Sequence, residues 1–486
     1  MFKRLANTFA KDADFPDRVH TLVVRNAVLN GKLYENLQYA FDEEKNLAGE
    51  YIPIRQRRPS VRYGLCRTVV DDAVSLLFSE GHFPEVDCED ETTRDELTAL
   101  IKEIGLNEAM IDAATRGSIG SVALMFRVLE NRVFVDVAET IYMTPVWKAT
   151  APDTLERVIE KYKVKGKVLK DLGYLPDSTK DEEVYWFQRI WDEAEEIFFI
   201  PWPVVRAGEE QKEPQRDEKR TVKHGLGFVP IVWVRNLPGG DAIDGACTFP
   251  DEVIDSSIEI DYQLSQAGRG LKYSSDPTLL IKEPAAGEGG QMVKGGGNAI
   301  VVDADGDAKM LEINGTAVAA VIEYVRLVRE LALETAHGNR TSADKISAAQ
   351  SGRAMELMNQ ALVWLADRLR ISYGEGALLE IMRMIVKARA TFKLVYKDGE
   401  KVKDLDPKAV IALRWPAWYQ PTAQDASNKA TTLKTHRDAG NMSRETAVKA
   451  IAADYDVEDV PAEIAMIEAE VEARDAAAQK KVQINE

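Results

Sequence analysis

The chain has 486 residues, of which 45% are hydrophobic and 29% are charged, a composition typical of a globular protein. This length predicts roughly two to four domains. The formal net charge of −18 argues against a generic DNA-binding domain, because DNA affinity comes largely from neutralising phosphates. The negative charge remains compatible with a protein that surrounds DNA without binding it tightly.

The positions of the cysteines and the lengths of the apolar runs further limit the class of protein and its compartment. Cys66, Cys88 and Cys247 are far apart and form no C-x-x-C metal pair, which fits a reducing compartment. There is no apolar run of 18 residues that could span a bilayer, and the first residues lack the apolar core of a signal peptide. We therefore expect no membrane segment, no cofactor and no structural metal, and a protein that stays where it is made.

Three stretches near the start of the chain have the 3–4 residue spacing of amphipathic helices. Residues 15–48 are predicted to be helical, with Val19, Leu22, Val23 and Ala27 on one face. The other two predicted helices are CRTVVDDAVSLLFSE (66–80) and ETTRDELTALIKEIGLNEAMIDAATRG (91–117).

Strands are predicted next. SVALMFRVLENRVFVDVA indicates a hairpin that turns at Glu130–Asn131, and the aromatic and β-branched residues of 156–164, 183–192 and 195–205 are typical of strands. The charged stretch GEEQKEPQRDEKRTVK (208–223) is predicted to be a solvated loop. A further strand follows in HGLGFVPIVWVRN.

The pattern changes at Pro250. Two predicted helices flank a glycine-rich, β-like segment, and a small Ser/Ala loop and a long helix follow, the latter from about Ser347 to Arg370 with a possible continuation to Ala390. TFKLVY (391–396) is a predicted strand, ALRWPAWYQP (412–421) is a predicted aromatic-rich strand and turn, and the acidic remainder is predicted to be helical. The fold class is therefore α+β.

Four motifs contain residue types that could serve in catalysis or ligand binding. Ser342 and Lys345 spell S-x-x-K, but the small polar residues around them offer no dry pocket, and S-D-N and K-T-G are absent. DADGD (303–307) lacks the later ligands of a calcium loop and predicts a hairpin turn. GEGGQMVKGGG is not a phosphate-binding loop. The basic stretch IRQRRPSVRYGLCR (54–67) could contact phosphate, but we favour pairing with nearby carboxylates such as Asp71 and Asp72.

The predicted helix after residue 316 has separate polar and apolar sectors. An acidic stripe comprises Glu323, Glu330 and Glu334, and an apolar stripe comprises Val318, Ile322, Val325, Val328 and Ala332, with Arg326 and Arg329 off both. Such a helix can lie on a surface, or it can pack side by side in a ring with its acidic stripe facing a lumen. Periodicity alone does not separate these alternatives.

The order of these segments resembles the portal proteins of tailed bacteriophages, particularly phages with long non-contractile tails. The residues that carry the resemblance are His224, Gly225, Val229, Pro230 and Asn236 of HGLGFVPIVWVRN; Ser351, Gly352, Ala354 and Leu357 of SGRAMELMNQAL; and the segments RYGLCRTVVDDAVSLLFSE, PDEVIDSSIEIDYQLSQ and LRWPAWYQPTAQDASNKATTLKTHRDAGNMSRETAV. None is diagnostic alone. Their shared order spans roughly residues 60–470.

The resemblance implies a domain plan. It comprises a wing (1–249), a first stem helix (250–276), a clip (277–315), a second stem helix (316–337), a tunnel loop (338–350), a wing helix with strands (351–415) and a helical crown (416–486). In this plan Arg340, Lys345, Ser347 and Gln350 face the DNA channel. Glu323, Glu330 and Glu334 line the stem lumen, and Lys282, Lys294 and Asp305 of the clip contact partners.

The resemblance also implies function and partners. It implies a ring, expected to be a homododecamer, at one capsid vertex of a virion assembled in the host cytoplasm, through which double-stranded DNA is packaged and later ejected. The implied partners are the terminase large subunit, a head-completion or adaptor protein, and the major capsid and scaffolding proteins. The alternatives are another ring-forming neck or baseplate protein, and a hydrolase using Ser342 and Lys345.

Overall fold

The computed structural model describes residues 1–205, 213–274, 278–284, 302–311, 316–338, 352–419, 422–452, 457 and 459–484. The chain divides into two compact units. Unit 1 comprises Met1–Arg340 and Gln360–Pro416, and unit 2 comprises Thr341–Asn359 and Ala417–Glu486.

Unit 1 begins with helices. They are α1 (Phe2–Ala6), α2 (Asp17–Leu29), α3 (Leu65–Phe78), α4 (Glu91–Glu103) and α5 (Leu106–Gly117), with a 3-10 turn at Ile54–Gln56.

Two of the predicted helices are shorter than expected. The helix predicted over 15–48 ends at Leu29, and the prediction for the following residues was wrong, because their apolar side chains pack at irregular intervals in an extended loop. The single helix predicted over 91–117 is two helices. They are separated at Gly105, whose φ of 64° lies in the left-handed region that glycine adopts without a Cβ penalty. Asp90 caps the first of them by accepting the backbone N–H of Thr93.

Thirteen strands occur among the described residues. They are β1 (Glu85–Asp87), β2 (Ser121–Leu129), β3 (Arg132–Glu139), β4 (Met143–Lys148), β5 (Ala151–Lys165), β6 (Val184–Trp191), β7 (Glu195–Phe198), β8 (Trp202–Pro203), β9 (Val222–Lys223), β10 (Ile231–Arg235), β11 (Thr278–Pro284), β12 (Val302–Leu311) and β13 (Ala412–Arg414). Helix α6 (Gly166–Asp171) lies between β5 and β6.

The strands form four antiparallel sheets. A three-stranded sheet has the order β10-β2-β3, and a six-stranded sheet has the order β4-β5-β6-β7-β9 with β8 also on β6. The other two are the pairs β1-β13 and β11-β12. The predicted β2–β3 hairpin is confirmed: Glu130 and Asn131 have φ values of 51° and 61°, as a tight type I′ turn requires.

Three loop and strand predictions need correction. DADGD is not a turn but lies within β12, where the pairing register with β11 shifts between Lys282 and Pro284. TFKLVY is not a strand, since Val395 makes only an isolated bridge with Lys401. The part of the 208–223 loop that the structure describes, from residue 213, returns along the sheet: Arg216 bridges Phe199, and β9 pairs with β7.

The remaining helices of unit 1 are α7 (Asp251–Ser274), α8 (Thr316–Thr335), α10 (Gln360–Leu369), a π-helix (Arg370–Leu378) and α11 (Leu379–Thr391), and α9 (Gly352–Met358) belongs to unit 2. The long helix predicted from about 347 is therefore divided at Asn359, and beyond Arg370 it does continue, through the π-helix, as expected. The core of unit 1 lies around β2, where Val122, Leu124 and Phe126 are fully buried.

Unit 2 also contains α12 (Ala423–Asp438), α13 (Arg444–Ala452) and α14 (Val460–Ile484), so the helical prediction for the tail is confirmed over these ranges. Helix α12 starts with a capping box: Thr422 accepts the N–H of Asp425, and the Asp425 side chain accepts the N–H of Thr422.

Candidate functional site

Helices α7 and α8 pack against each other. They connect the β11–β12 pair to the rest of unit 1, here called the body. The first half of α7 is anchored in the body by Val253, Ile254 and Ile258, each at most 1% exposed. Asp251 and Glu252 occupy its first turn, where carboxylates interact favourably with the helix dipole. After Ser265, which is 1% exposed, the side chains of residues 266–272 are intermediate or exposed. Helix α7 therefore leaves the body near that residue.

A belt formed by residues 31–64 holds α7 where it leaves the body. The hydroxyl of Tyr34 donates to Asp261 Oδ2 at 2.8 Å, and the backbone N–H of Tyr63 donates to Asp261 Oδ1 at 2.7 Å. The N–H of Val61 donates to Ser265 Oγ at 3.0 Å. The belt thus satisfies the buried polar groups of α7 that water cannot reach.

Asp261 is a buried carboxylate, 4% exposed. Burial raises its pKa to about 6, against the opposing effects of the Tyr63 amide, the Tyr34 hydroxyl and the Arg62 guanidinium. The same burial, together with the carboxylate beside it, raises the pKa of the Tyr34 hydroxyl. Desolvation disfavours the charged form of both side chains. Asp261 is the acceptor in both hydrogen bonds, so they survive its protonation only if its oxygens continue to accept the Tyr34 hydroxyl and the Tyr63 amide.

The basic stretch 54–67 is largely part of this belt. Arg57 is fully buried, and its guanidinium donates to the carbonyl oxygens of Ile52, at 2.6 and 2.9 Å, and of Phe41, at 3.3 Å. Arg67 pairs with Asp71 at 2.8 Å, which confirms the predicted carboxylate pairing at that position. Arg57 instead has a structural role that could not be predicted from the sequence, because its guanidinium donates to backbone carbonyl oxygens rather than to carboxylates.

Helix α8 changes environment along its length. Ala332 and Leu333 in its last turn are 2% and 7% exposed, and Ala336, directly after the helix, is 4% exposed. From residue 319 to Leu331 the side chains are intermediate or exposed. Of the predicted apolar stripe, Ala332 is buried, Val325 and Val328 are half-buried and Ile322 is exposed. The half-buried residues lie on the same side as the buried ones, as 3.6 residues per turn requires.

The predicted acidic stripe is exposed. Glu323, Glu330 and Glu334 are accessible along one side of α8, and Glu323 makes a solvent-exposed contact of 3.8 Å with Arg326. A second apolar stripe lies beside it, formed by Tyr324, Leu327 and Leu331, and the sequence analysis missed it. Its 3–4 spacing was visible in the sequence, but periodicity did not indicate which apolar face the chain would bury.

The other predicted site residues fall largely outside the described residues. These are Arg340, Lys345, Ser347 and Gln350 of the predicted tunnel loop, Ser342 of the S-x-x-K motif, and Lys294 of the predicted clip. For Lys282 and Asp305 the structure gives the backbone alone: they lie in β11 and β12.

A buried hydrogen-bond hub fixes the segment that leads into α7. Asn236 ends β10, and its Nδ2 donates to the carbonyl of Ala246 at 2.8 Å, to Thr248 Oγ1 at 2.9 Å and to the carbonyl of Ser118 at 3.3 Å. Its Oδ1 accepts the hydroxyl of Tyr373, from the π-helix, at 3.0 Å. This one side chain therefore connects the segment before α7 to the residue that follows α5 and to the π-helix.

The π-helix also makes a close contact on its other side. The Arg370 guanidinium lies 4.5 Å from the ring centroid of Trp415. A Cβ at Gly374 would collide with the same indole ring, so this position needs glycine for the close approach rather than for an unusual φ.

Two absences concern only the described part of the chain. Within it, no group of three or more His, Cys, Asp or Glu side chains is placed to hold a metal ion. No helix in those ranges is long and apolar enough to cross a membrane.

Comparisons with known proteins were made on the whole chain. A search of curated proteins finds no match. Among solved structures, the chain is similar to one from the "Neck of empty GTA particle computed with C6 symmetry", at 11% identity and a TM-score of 0.38, over 80% of this chain and 88% of that one. The family model described as "Phage portal protein, SPP1 Gp6-like" matches residues 27–477. The chain therefore belongs to the phage portal protein family, the ring-forming connectors of phage particles.

Proposed function

We propose that the chain assembles into a ring of about twelve copies at one capsid vertex and forms the channel through which double-stranded DNA enters the particle and later leaves it. The observation that carries this proposal is the match of the portal family model over residues 27–477. The helix pair that leaves the body of unit 1 and ends in the β11–β12 pair supports it.

In this proposal α7 and α8 are the stem, and the acidic stripe of α8 faces the channel. Glu323, Glu330 and Glu334 are all exposed, as a lumenal position requires. With a net charge of −18 per chain, about twelve copies carry roughly −200 charges. Such a channel repels the polyanion and lets it slide, whereas neutralising many phosphates would arrest it.

The flanking segments take the roles of clip and tunnel loop. The β11–β12 pair, with Lys282, Lys294 and Asp305, would contact the terminase large subunit during packaging and a head-completion or adaptor protein afterwards. Arg340, Lys345, Ser347 and Gln350 would contact DNA in the channel, and the basic residues among them would make the few phosphate contacts. The wing would face the major capsid and scaffolding proteins.

We further propose that the chain is not an enzyme. The sequence contains no G-x-x-x-x-G-K-[ST] motif, so the ATP hydrolysis of packaging would belong to the terminase. A fluorophosphonate probe tests the hydrolase alternative. We expect equal, background labelling of the wild type and of Ser342→Ala, and labelling lost specifically in Ser342→Ala would contradict the proposal.

Mass photometry of the purified protein, followed by negative-stain imaging of the largest species, tests the proposed assembly. We expect a mass near about twelve times the 54.1 kDa of one chain, and ring-shaped particles with a central hole. A single monomeric or dimeric species at every salt and protein concentration would overturn the proposal.

A further inference from the structure

Helix α8 carries an exposed apolar stripe, here called the outer stripe, in the part that lies beyond the body of unit 1. It consists of Tyr324, Leu327 and Leu331, which are 45%, 53% and 54% exposed. Their 3–4 spacing places them along one side of the helix. Three large apolar side chains exposed in a row on one helix indicate a binding surface, whereas single exposed apolar residues need no explanation.

The outer stripe is distinct from the face that α8 buries. With 100° of rotation per residue, the centre of the outer stripe lies about 100° around the helix from the centre of the side that carries Val325, Val328 and Ala332. A surface helix with a single partner needs one apolar face. In α8 the outer stripe adjoins the buried side and stays exposed, so the apolar arc of the projecting part is wider than its contacts within the chain cover, which leaves a surface for a second neighbour.

The charged sectors of α8 indicate what that neighbour is. Around the helix, the outer stripe is followed by the acidic stripe and then by a sector that carries Arg326, Arg329 and Ile322, the last 45% exposed. This sector lies about 180° from the outer stripe. A row of identical helices, each turned by a small angle from the last, would therefore place the outer stripe of one copy against the Ile322 side chain and the arginine stems of the next.

We propose that the outer stripe is the lateral contact between neighbouring copies of this chain, and that it packs on the Ile322–Arg326–Arg329 side of the adjacent α8. The inference rests on the proposed ring and specifies how its stem closes. The contact is head-to-tail, because each copy offers a different surface to each neighbour, which is the arrangement that generates rings. It also leaves the acidic stripe between the two contacts, free to face the channel.

The first test replaces Leu327 and Leu331 together with glutamate. We expect the double variant to need at least a tenfold higher protein concentration than the wild type to form rings in mass photometry, with an unchanged far-ultraviolet circular dichroism spectrum. Glu323→Gln with Glu330→Gln is the matched control on the neighbouring stripe, and it should form rings like the wild type. Rings formed by the glutamate variant at wild-type concentration would overturn the inference while leaving the proposed ring intact.

A disulfide test locates the receiving side. Leu327→Cys combined with Arg326→Cys puts a thiol on each side of α8 at nearly the same height, and adjacent residues of one helix point apart. Oxidation should give a ladder of covalent oligomers on non-reducing gels, and each single variant should give none above the wild-type background. No ladder from assembled double-variant rings would overturn the assigned contact. A wild type that forms no rings would instead refute the proposed function.

Discussion

The helix pair of α7 and α8 has two halves that are stabilised in different ways. The base consists of residues 253–265 of α7 and residues 332–338 at the end of α8 and directly after it, and it is largely buried and held by the belt. The projecting half, residues 266–272 and 319–331, is intermediate or exposed and carries an apolar stripe beside an acidic one. The base completes its hydrogen bonds and packing within one chain. The projecting half leaves apolar surface exposed among the described residues, and the proposed assembly would cover it, so substitutions in the two halves should affect different measurements.

The largest effect on stability is expected at Asn236, which fixes the segment entering the base. Asn236→Ala leaves the buried Tyr373 hydroxyl without its acceptor and removes the donor to the carbonyl oxygens of Ser118 and Ala246, each of which keeps a backbone N–H partner. We expect the free energy of unfolding to fall by about 3 kcal/mol in urea titrations. Tyr373→Phe, which removes one hydrogen bond, should cost about 1 kcal/mol. Equal costs for the two variants would contradict the assigned hub.

The next effect is a pH dependence at Asp261. Burial raises its folded-state pKa to about 6, above the unfolded value, so between those two values the folded chain binds more protons than the unfolded chain. The stability that Asp261 contributes is therefore greatest at low pH and is lost as the pH rises through about 6. Relative to Asp261→Asn, which does not titrate, the wild type should lose roughly 2 kcal/mol between pH 4 and 7.

The measurement is the difference in unfolding free energy between wild type and Asp261→Asn, determined by urea titration at several pH values. A constant offset added to the predicted pH-dependent change would reflect altered hydrogen bonding to Tyr34 and Tyr63. A difference that does not change across the whole range would contradict the raised pKa.

A smaller effect distinguishes two glycines of the π-helix. Gly374→Ala should destabilise unit 1 by about 1–2 kcal/mol, because the new methyl group meets the Trp415 ring. Gly376→Ala is the matched control: its Cβ would lie 3.5 Å from the Ile371 carbonyl oxygen, an ordinary contact. The control should be neutral or slightly stabilising, since alanine is the better helix former. Thermal unfolding of both variants checks the order, and a reversed order would refute the assigned packing.

The smallest effect on stability is expected in the projecting half. Replacing Glu323, Glu330 and Glu334 together with lysine should leave the urea midpoint unchanged, because all three side chains are exposed. Assembled rings of this variant should nevertheless bind double-stranded DNA at least tenfold more tightly at low salt, measured by fluorescence anisotropy. Replacement by glutamine is the control and should bind DNA weakly. Unchanged DNA affinity of the lysine variant would argue that the acidic stripe does not face the channel.

Local patterns in the sequence predicted much of the fold. The β2–β3 hairpin was predicted with its turn at Glu130–Asn131. Helix α7 was predicted from its Pro–Asp start and the glycines near its end, and α8 from 3–4 spacing and the Gly338–Asn339 stop. The belt could not be predicted, because Tyr34 contacts Asp261 across 227 residues and its apolar residues follow no period. The extent of the first helix was overestimated for the same reason.

The candidate site likewise contains some features that the sequence could predict and others that it could not. The acidic stripe could be found from spacing, since it needs no partner within the chain. The outer stripe shares that spacing, but its importance depends on which face of α8 packs on the body, which is a long-range property. The Asn236 hub joins residues 137 apart, so the sequence alone could indicate only that Asn236 ends a strand.

An electron cryomicroscopy reconstruction of the purified, assembled protein tests the central claim most directly. We predict a closed ring with an open channel, in which Glu323, Glu330 and Glu334 of every copy face the axis and Leu327 contacts the adjacent copy. A closed ring in which α8 lies on the outer surface, or an assembly without a central channel, would contradict the account.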